Sequence, residues 1–193
     1  FFTDYSLDND IGGPGNTTFD GASGAGDVEL FGKYRFVTGA AQWAVGGSLT
    51  LPTGSESDGL GTGKLVPAVF GAARHDFGPV RGVAHLGMRF NQDYDLFGDT
   101  VNGELGGKIS VFAGVGVLGQ LAGMKTLTWT GELTVETERF DPQPGYNSDP
   151  DVRVTGGLDW VPVKHHMIRG AVSGGLTNAA PDFELILGYA YHF

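Results

Sequence analysis

The chain has 193 residues, among them 34 glycines and no cysteine, and its formal net charge is -10. This glycine content disfavours a helical protein, because glycine costs roughly 1 kcal/mol relative to alanine in a helix interior. The negative charge disfavours nucleic acid as a partner. The lack of cysteine excludes disulfides and thiolate metal sites within the chain. No segment has the roughly 18 uninterrupted apolar residues of a membrane helix.

Alternating apolar and polar residues, which are typical of β-strands, recur along the chain. In the first such run, residues 27–37, Val28 and Leu30 fall on one face, whereas Glu29 and Lys33 fall on the other. The runs predicted as strands are, in chain order, 27–37, 43–51, 65–76, 80–91, a weaker run from Lys108, 127–136, 152–160, a weaker run from Ile168, and 183–193. They make roughly nine strands of about the length that a tilted membrane strand needs.

One run does not alternate cleanly. In residues 65–76 the large apolar side chains Val69 and Phe70 are adjacent, so they fall on opposite faces of an extended chain. The spacing of this run between its neighbours still predicts a strand.

The lengths of the connections separate a membrane barrel from a soluble β-sandwich, which would show the same alternation. Short connections are predicted near Gly39, at 78–79, at 119–124 and at 165–166, and long polar ones at 54–64, 91–103 and 140–150. Outer-membrane barrels have short periplasmic turns and longer outside loops. The alternation of short and long connections therefore favours the membrane barrel.

Aromatic residues collect at both predicted strand ends. With the last strand descending, the periplasmic ends carry Tyr34, Phe36, Trp43, Phe77, Trp129, Trp160, Tyr189, Tyr191 and Phe193. The outside ends carry Phe90, Tyr94, Phe97, Phe140, Tyr146 and Phe183. Amphipathic rings favour the depth of the lipid headgroups, so two such girdles indicate a membrane-spanning barrel.

These patterns predict an all-β protein, a transmembrane up-and-down antiparallel β-barrel forming a single domain over 1–193. Residues 1–26 are interpreted as the end of a preceding strand followed by a long outside loop, and 27–193 as about nine strands. Closed bacterial barrels of a single chain have an even number of strands, and an open edge in lipid leaves backbone groups unpaired. We therefore expect further N-terminal strands, giving about twelve in the full protein.

Several short motifs resemble a known family. They are Gly26-Asp27-Val28-Glu29-Leu30, Lys33-Tyr34-Arg35, Leu51-Pro52-Thr53-Gly54 and the glycines between 59 and 63. From Gly26 onward the chain is similar to the outer-membrane channel family associated with the meta-pathway of phenol degradation. The resemblance implies a channel or transporter for small molecules such as aromatic or apolar compounds, located in the outer membrane of a Gram-negative bacterium.

The chain ends with Tyr189-Ala190-Tyr191-His192-Phe193. This segment is similar to the terminal signal by which the barrel assembly machinery recognises outer-membrane barrels. The resemblance thus implies two partners besides the small-molecule cargo. These are the assembly machinery, through Tyr189, Tyr191 and Phe193, and the outer-membrane lipid.

The candidate functional residues are the charged side chains predicted to face the barrel interior, where mixed charges set the selectivity of a pore. They are Glu29, Lys33, Arg35, Arg81, His85, Arg89, Lys108, Glu132, Glu136, Arg153, Asp159, Arg169 and Glu184. The alternative is that these charges pair with one another and fill a narrow interior, since an isolated buried charge is costly.

Other polar motifs have simpler interpretations. The acidic segments are interpreted as solvated loops rather than calcium sites; they are Asp8-Asn9-Asp10, Asp93 to Asp99 and Asp149-Pro150-Asp151. His165-His166 are interpreted as exposed turn residues without a metal. The glycine-rich segment 59–64 fails the phosphate-loop pattern, because Leu65 follows Lys64. We therefore expect no metal, no cofactor and no nucleic acid.

Two other classes of function were compared with a channel. An enzyme would need a serine, a histidine and an acid that converge, and the histidines map away from Ser55 and Ser57, so we expect no catalytic residues. A structural or scaffolding barrel that binds partner proteins is the alternative function.

Overall fold

The computed structural model describes residues 2–4, 23–37, 39–57, 60–95, 104–141 and 149–191, which form strands, turns and loops without any helix. No helix in these ranges is therefore long and apolar enough to cross a membrane. The strands are β1 (Phe2–Asp4), β2 (Ser23–Ala25), β3 (Val28–Val37), β4 (Ala41–Leu51), β5 (Val66–Asp76), β6 (Val80–Phe90), β7 (Tyr94–Asp95), β8 (Glu104–Leu105), β9 (Ile109–Leu121), β10 (Met124–Glu136), β11 (Asp151–Val163), β12 (His166–Gly175) and β13 (Glu184–Tyr191).

Nine of these strands form one antiparallel sheet in the order β13-β12-β11-β10-β9-β6-β5-β4-β3. Each strand pairs with the next sheet strand along the chain, so the topology is up-and-down, and the sheet curls into a half-barrel. The predicted all-β, up-and-down antiparallel fold is confirmed. β1 pairs with β2 and β7 with β8 in two small sheets. In the described residues β3 and β13 form the edges of the large sheet and do not pair with each other.

The register gives the sheet one polar and one apolar face. Partners on the polar face run from Arg35 through Ala44, Ala72, His85, Gly114 and Thr134 to Arg153. The adjacent row runs on the opposite face from Tyr34 through Val45, Gly71, Leu86, Ala113 and Val135 to Val152. Because side chains alternate along each strand, these two rows define the chemistry of the whole surface.

The ambiguous run 65–76 is the strand β5. Val69 pairs with Met88 on the apolar face, whereas Phe70 lies between Gly46 and Gly87 on the polar face. A side chain at Gly46 would overlap the ring of Phe70. Glycine at this position therefore leaves the space that a large ring needs on the polar face.

The large apolar side chains are exposed rather than packed in a core. The only hydrophobic side chains buried among the described residues are Leu60, Val66, Ala68, Ala171 and Ala180. Leu187 is 78% exposed and Tyr34 is 71% exposed, both on the apolar face. Apolar surface of this extent is typical of a region that contacts another apolar phase or partner.

Short and long connections lie at opposite ends of the sheet, as the sequence predicts. The short ones join β3 to β4, β5 to β6, β9 to β10 and β11 to β12. Each contains one described residue with positive φ, namely Gly39, Gly78, Gly123 and His165. Positive φ is readily adopted by glycine and reverses the chain within a few residues. The longer connections lie at the other end, and their described parts are 52–57, 60–65, 91–95, 104–108, 137–141, 149–150 and 176–183.

Asp27 holds the long connection 52–65 against the start of β3. Its Oδ1 accepts a hydrogen bond from the backbone N–H of Gly54 at 2.9 Å, and its Oδ2 accepts one from that of Thr62 at 3.0 Å. The hydroxyl of Thr53 accepts a hydrogen bond from the N–H of Val28 at 2.8 Å. The three glycine-containing motifs that carry the family resemblance therefore meet at one carboxylate.

Candidate functional site

The polar face contains twelve of the thirteen charged residues that the sequence singles out. They are Glu29, Lys33, Arg35, Arg81, His85, Arg89, Glu132, Glu136, Arg153, Asp159, Arg169 and Glu184. The remaining one, Lys108, precedes β9, and its Nζ lies 3.1 Å from Oδ1 of Asp141 and 3.3 Å from Oε2 of Glu138. Hydrogen bonds to these two carboxylates raise the pKa of Lys108.

Two depressions identify the polar face as the inside of the curl. One has a volume of about 230 Å³ and is lined from β6, β9, β10 and β11, including Arg89, Phe112 and Glu136. The other has a volume of about 500 Å³ and is lined from β3, β4, β5 and β6, including Arg35, Arg74 and His85. Side chains of four successive strands converge on each depression, so we call the polar face the concave face and the apolar face the convex face.

Glu136 is the centre of an ionic cluster in the smaller depression. Its Oε1 lies 3.2 Å from Nε of Arg89 and accepts a hydrogen bond from the hydroxyl of Ser110 at 2.8 Å. Its Oε2 accepts a hydrogen bond from Nη2 of Arg139 at 2.6 Å. Ser110 is completely buried and Glu136 is only 9% exposed. A buried carboxylate requires such partners, because an unpaired charge loses its hydration without compensation.

The contact between Arg89 and Glu136 spans β9, which lies between their strands. Phe112 of β9 fills the space beneath the guanidinium, whose carbon lies 5.7 Å from the ring centroid. This distance allows a cation–π contact. The pair is therefore held by an aromatic ring on the strand between them.

A second group of ion pairs joins β11 to β13. Arg153 bonds to both carboxylate oxygens of Asp151, and its Nη1 donates to Glu184 at 3.2 Å across the intervening strand. Arg169 donates two hydrogen bonds to Asp159, at 2.6 and 2.7 Å. The charges of this half of the concave face thus largely neutralise one another.

His85 and Glu132 approach each other across β9 through a gap left by glycine. Nδ1 of His85 lies 3.6 Å from Oε1 of Glu132, and the two belong to β6 and β10. On β9, Gly114 lies opposite His85 and Gly116 lies opposite Glu132, and a side chain at Gly114 would overlap the imidazole. The pair is an ion pair only while the histidine is protonated.

Charge is unevenly distributed over the concave face. Register-paired positions of β3 to β6 hold Lys33, Arg35, Arg74, Arg81 and Arg89 against the acids Glu29 and Asp76. Those of β9 to β13 hold Arg153 and Arg169 against Glu132, Glu136, Asp151, Asp159 and Glu184. The described part of the sheet therefore has a cationic half that faces an anionic half.

Three charged residues of this surface were not predicted from the sequence. Arg74 belongs to the run whose alternation is obscured by Phe70, so its face was not assigned. Asp76 ends the same strand, and its Oδ1 lies 2.5 Å from Nε of Arg81. Asp151 was interpreted as part of a solvated loop, but it is the first residue of β11 and pairs with Arg153. Its position one residue before the apolar Val152 was the available signal.

The end of the sheet with the short turns carries aromatic side chains on the convex face. Trp43, Trp160, Tyr189 and Tyr191 are exposed there. Nδ1 of His166 lies 2.8 Å from the hydroxyl of Tyr189, within hydrogen-bond distance. This row corresponds to one of the two predicted girdles. Phe193, and Phe97 and Tyr146 of the other girdle, lie outside the described residues.

The remaining polar motifs show local contacts. Within the described ranges, no group of three His, Cys, Asp or Glu residues has the arrangement of a metal site. Ser55 and Ser57 contact each other at 3.2 Å in the connection 52–65. The acidic segment 8–10 lies outside the described residues, whereas Asp93 accepts a hydrogen bond from the N–H of Gly107 at 2.8 Å.

The chain was compared with known protein families and with curated proteins. No family model matches it. No curated protein matches it with significance. The similarity to the outer-membrane channel family therefore stays a prediction from the motifs around Asp27, and function is inferred from the two faces of the sheet.

Proposed function

We propose that this protein is an outer-membrane β-barrel of a Gram-negative bacterium that lets small molecules pass along its concave face. The observation that carries this proposal is the difference between the two faces of one sheet. The convex face exposes large apolar side chains in register, whereas the concave face contains the charges. An outward apolar surface with a polar interior is the pattern of membrane barrels that enclose water.

Lipid is the partner that best matches the convex face. Its register-paired positions carry no Asp, Glu, Lys or Arg among the described strands. In water, exposed side chains such as Leu86, Leu133 and Leu187 would favour aggregation, whereas acyl chains accept them without cost. The aromatic row at the short-turn end supports the proposal, because rings of this kind favour the headgroup region.

The orientation and assembly of the barrel follow from the same features. We assign the short turns to the periplasm and the long connections to the cell exterior, as in other outer-membrane barrels. The terminal residues Tyr189, Tyr191 and Phe193 are proposed to be recognised by the barrel assembly machinery. The family resemblance suggests aromatic or apolar cargo, and we expect the protein to have no enzymatic activity.

One observation favours the alternative, a scaffolding barrel. The ion pairs of Arg153, Arg169 and Glu136 neutralise much of the charge on β10 to β13. Neutralised charges of this kind are also expected in a barrel whose interior is filled and whose loops bind other proteins. A measurement of conductance separates the two functions.

The test uses the purified protein refolded into lipid vesicles and then into planar bilayers. Flotation with the vesicles and resistance of the strands to protease establish insertion. Discrete channel openings in the bilayers are the expected result. An inserted but electrically silent protein would favour the scaffolding barrel, and a protein that stays in the aqueous phase would contradict both.

A further inference from the structure

The larger depression of the concave face is lined by Lys33, Arg35, Gln42, Arg74 and His85. We call it the cation-rich depression. No acidic residue among those that the structure describes lines it, although the chain as a whole has a net charge of -10. In the described residues Lys33, Arg35 and Arg74 form no salt bridge with a carboxylate. This contrasts with the opposite half of the sheet, where Arg153 and Arg169 are paired.

The floor of the cation-rich depression is apolar. Ala44 and Ala72 lie side by side in the register between Arg35 and His85. Their methyl groups leave room between the long side chains on either side, which produces the volume of about 500 Å³. Pockets for small molecules have volumes of roughly 300–1,000 Å³ and combine an apolar lining with a few polar groups.

At this site Arg35 is held in place without being neutralised. Nη1 of Arg35 donates a hydrogen bond to Oε1 of Gln42 at 3.1 Å, and the amide nitrogen of Gln42 donates to the carbonyl of Gly39 at 3.2 Å. Gln42 thus orients the guanidinium but leaves its charge. Nε of Arg74 is buried, and no acceptor among the described residues bonds to it. A buried donor without an acceptor is costly and favours a ligand that supplies one.

We propose that the cation-rich depression binds a small organic anion, a carboxylate carried on a compact apolar body. The carboxylate would accept hydrogen bonds from Arg74 and Arg35, whose planar guanidinium groups suit its two oxygens. The apolar body would rest on Ala44 and Ala72. This inference deepens the proposed function, because it names the class of solute that the concave face selects.

The experiment measures binding to the refolded full chain in detergent micelles by calorimetry at low salt. The probes are cyclohexanecarboxylate and the uncharged cyclohexanecarboxamide, which have the same apolar body. We expect the carboxylate to bind at least about ten-fold more tightly than the amide, as a charge-assisted hydrogen bond predicts. Equal affinities, or no binding of the carboxylate, would overturn the proposal.

Matched variants locate the site. Arg74→Gln removes one cation from the depression, and Arg169→Gln makes the same change of charge on the same face, at the pair with Asp159. Arg74→Gln should weaken carboxylate binding about ten-fold and leave the amide unchanged, whereas Arg169→Gln should alter either affinity by less than about two-fold. Similar losses in both variants would show general electrostatic attraction and overturn a specific site.

Two further measurements keep the test decisive. If Arg74→Gln does not refold, Arg35→Gln replaces it with the same expected loss. Channel conductance is recorded separately on the same preparations. Carboxylate binding by an electrically silent protein would support this site and contradict the channel. Conductance without carboxylate binding would support the channel and contradict this site.

Discussion

At the scale of single residues, Asp27 shows how one carboxylate organises a long connection. The two oxygens accept hydrogen bonds from backbone groups 27 and 35 positions along the chain. Gly61 lies so close that a side chain there would overlap the carboxylate. The aspartate and the glycines of the motif are therefore required together.

Asp27→Asn should loosen the connection 52–65. An amide retains one acceptor oxygen, so one of the N–H groups of Gly54 and Thr62 loses its partner, at a cost of about 1–2 kcal/mol. Hydrogen exchange of these two amides should become faster, and protease should cut the connection more readily. Asp182→Asn is the control, since no described group bonds to the Asp182 carboxylate. Equal exchange rates in Asp27→Asn and the unmodified protein would contradict the proposed role of Asp27.

At the scale of the element, each strand separates two environments. In β10, Leu133 pairs with Val115 and Val154 on the convex face, whereas Thr134 pairs with Gly114 and Arg153 on the concave face. A shift of one residue in the pairing would exchange these faces. The register is therefore as important to function as the presence of the strand.

Arginine substitutions at these two neighbouring positions test the assignment of the faces. In lipid vesicles Leu133→Arg should lower the free energy of unfolding by ~2–4 kcal/mol, because it places a charge in the acyl region. Thr134→Arg should lower the free energy of unfolding much less, since Glu132 and Glu136 lie on the same face as residue 134. Unfolding titrations in denaturant measure both values. Equal losses would show that the convex face does not contact lipid.

At the scale of the whole molecule, the curl of the sheet turns a sequence of alternating residues into an inside and an outside. The cationic strands β3 to β6 and the more acidic strands β9 to β13 then face each other across the concave side. A field across a narrow polar passage orients charged solutes and selects among them. The selectivity of the proposed channel is therefore expected to depend on both halves of the sheet.

The orientation of the molecule in the membrane can be tested with two single cysteines, because the chain has none of its own. Lys164→Cys and Ala179→Cys lie in the connections that flank β12 on its two sides, and both residues are exposed. A membrane-impermeant maleimide should label Ala179→Cys on intact cells, and Lys164→Cys only after the outer membrane is opened. The reverse labelling would invert the assigned orientation.

The sequence alone was sufficient to predict the nine strands of the large sheet, the two faces of every one except β5, and the alternation of short and long connections. The short strands β2 and β7 lie in segments that were predicted as loops. The physical reason is that a period of two residues, glycine at tight turns and the length of a connection are local properties. Even β5 could be predicted from spacing, although Phe70 hid which of its faces is polar. The face of Arg74, and with it the cation-rich depression, could not be predicted for the same reason.

Only the tertiary structure decided which charges meet. Arg89 reaches Glu136, His85 reaches Glu132 and Arg153 reaches Glu184 across an intervening strand. These contacts depend on the stagger between strands, on the curl of the sheet and on small or flat residues such as Gly114 and Phe112 in the gaps. Alternation along one strand contains no information about stagger between strands. The sequence by itself therefore determined on which face of the sheet each predicted charged residue of a strand lies. The three-dimensional sheet determined which of these charges are neutralised and which are left for a ligand.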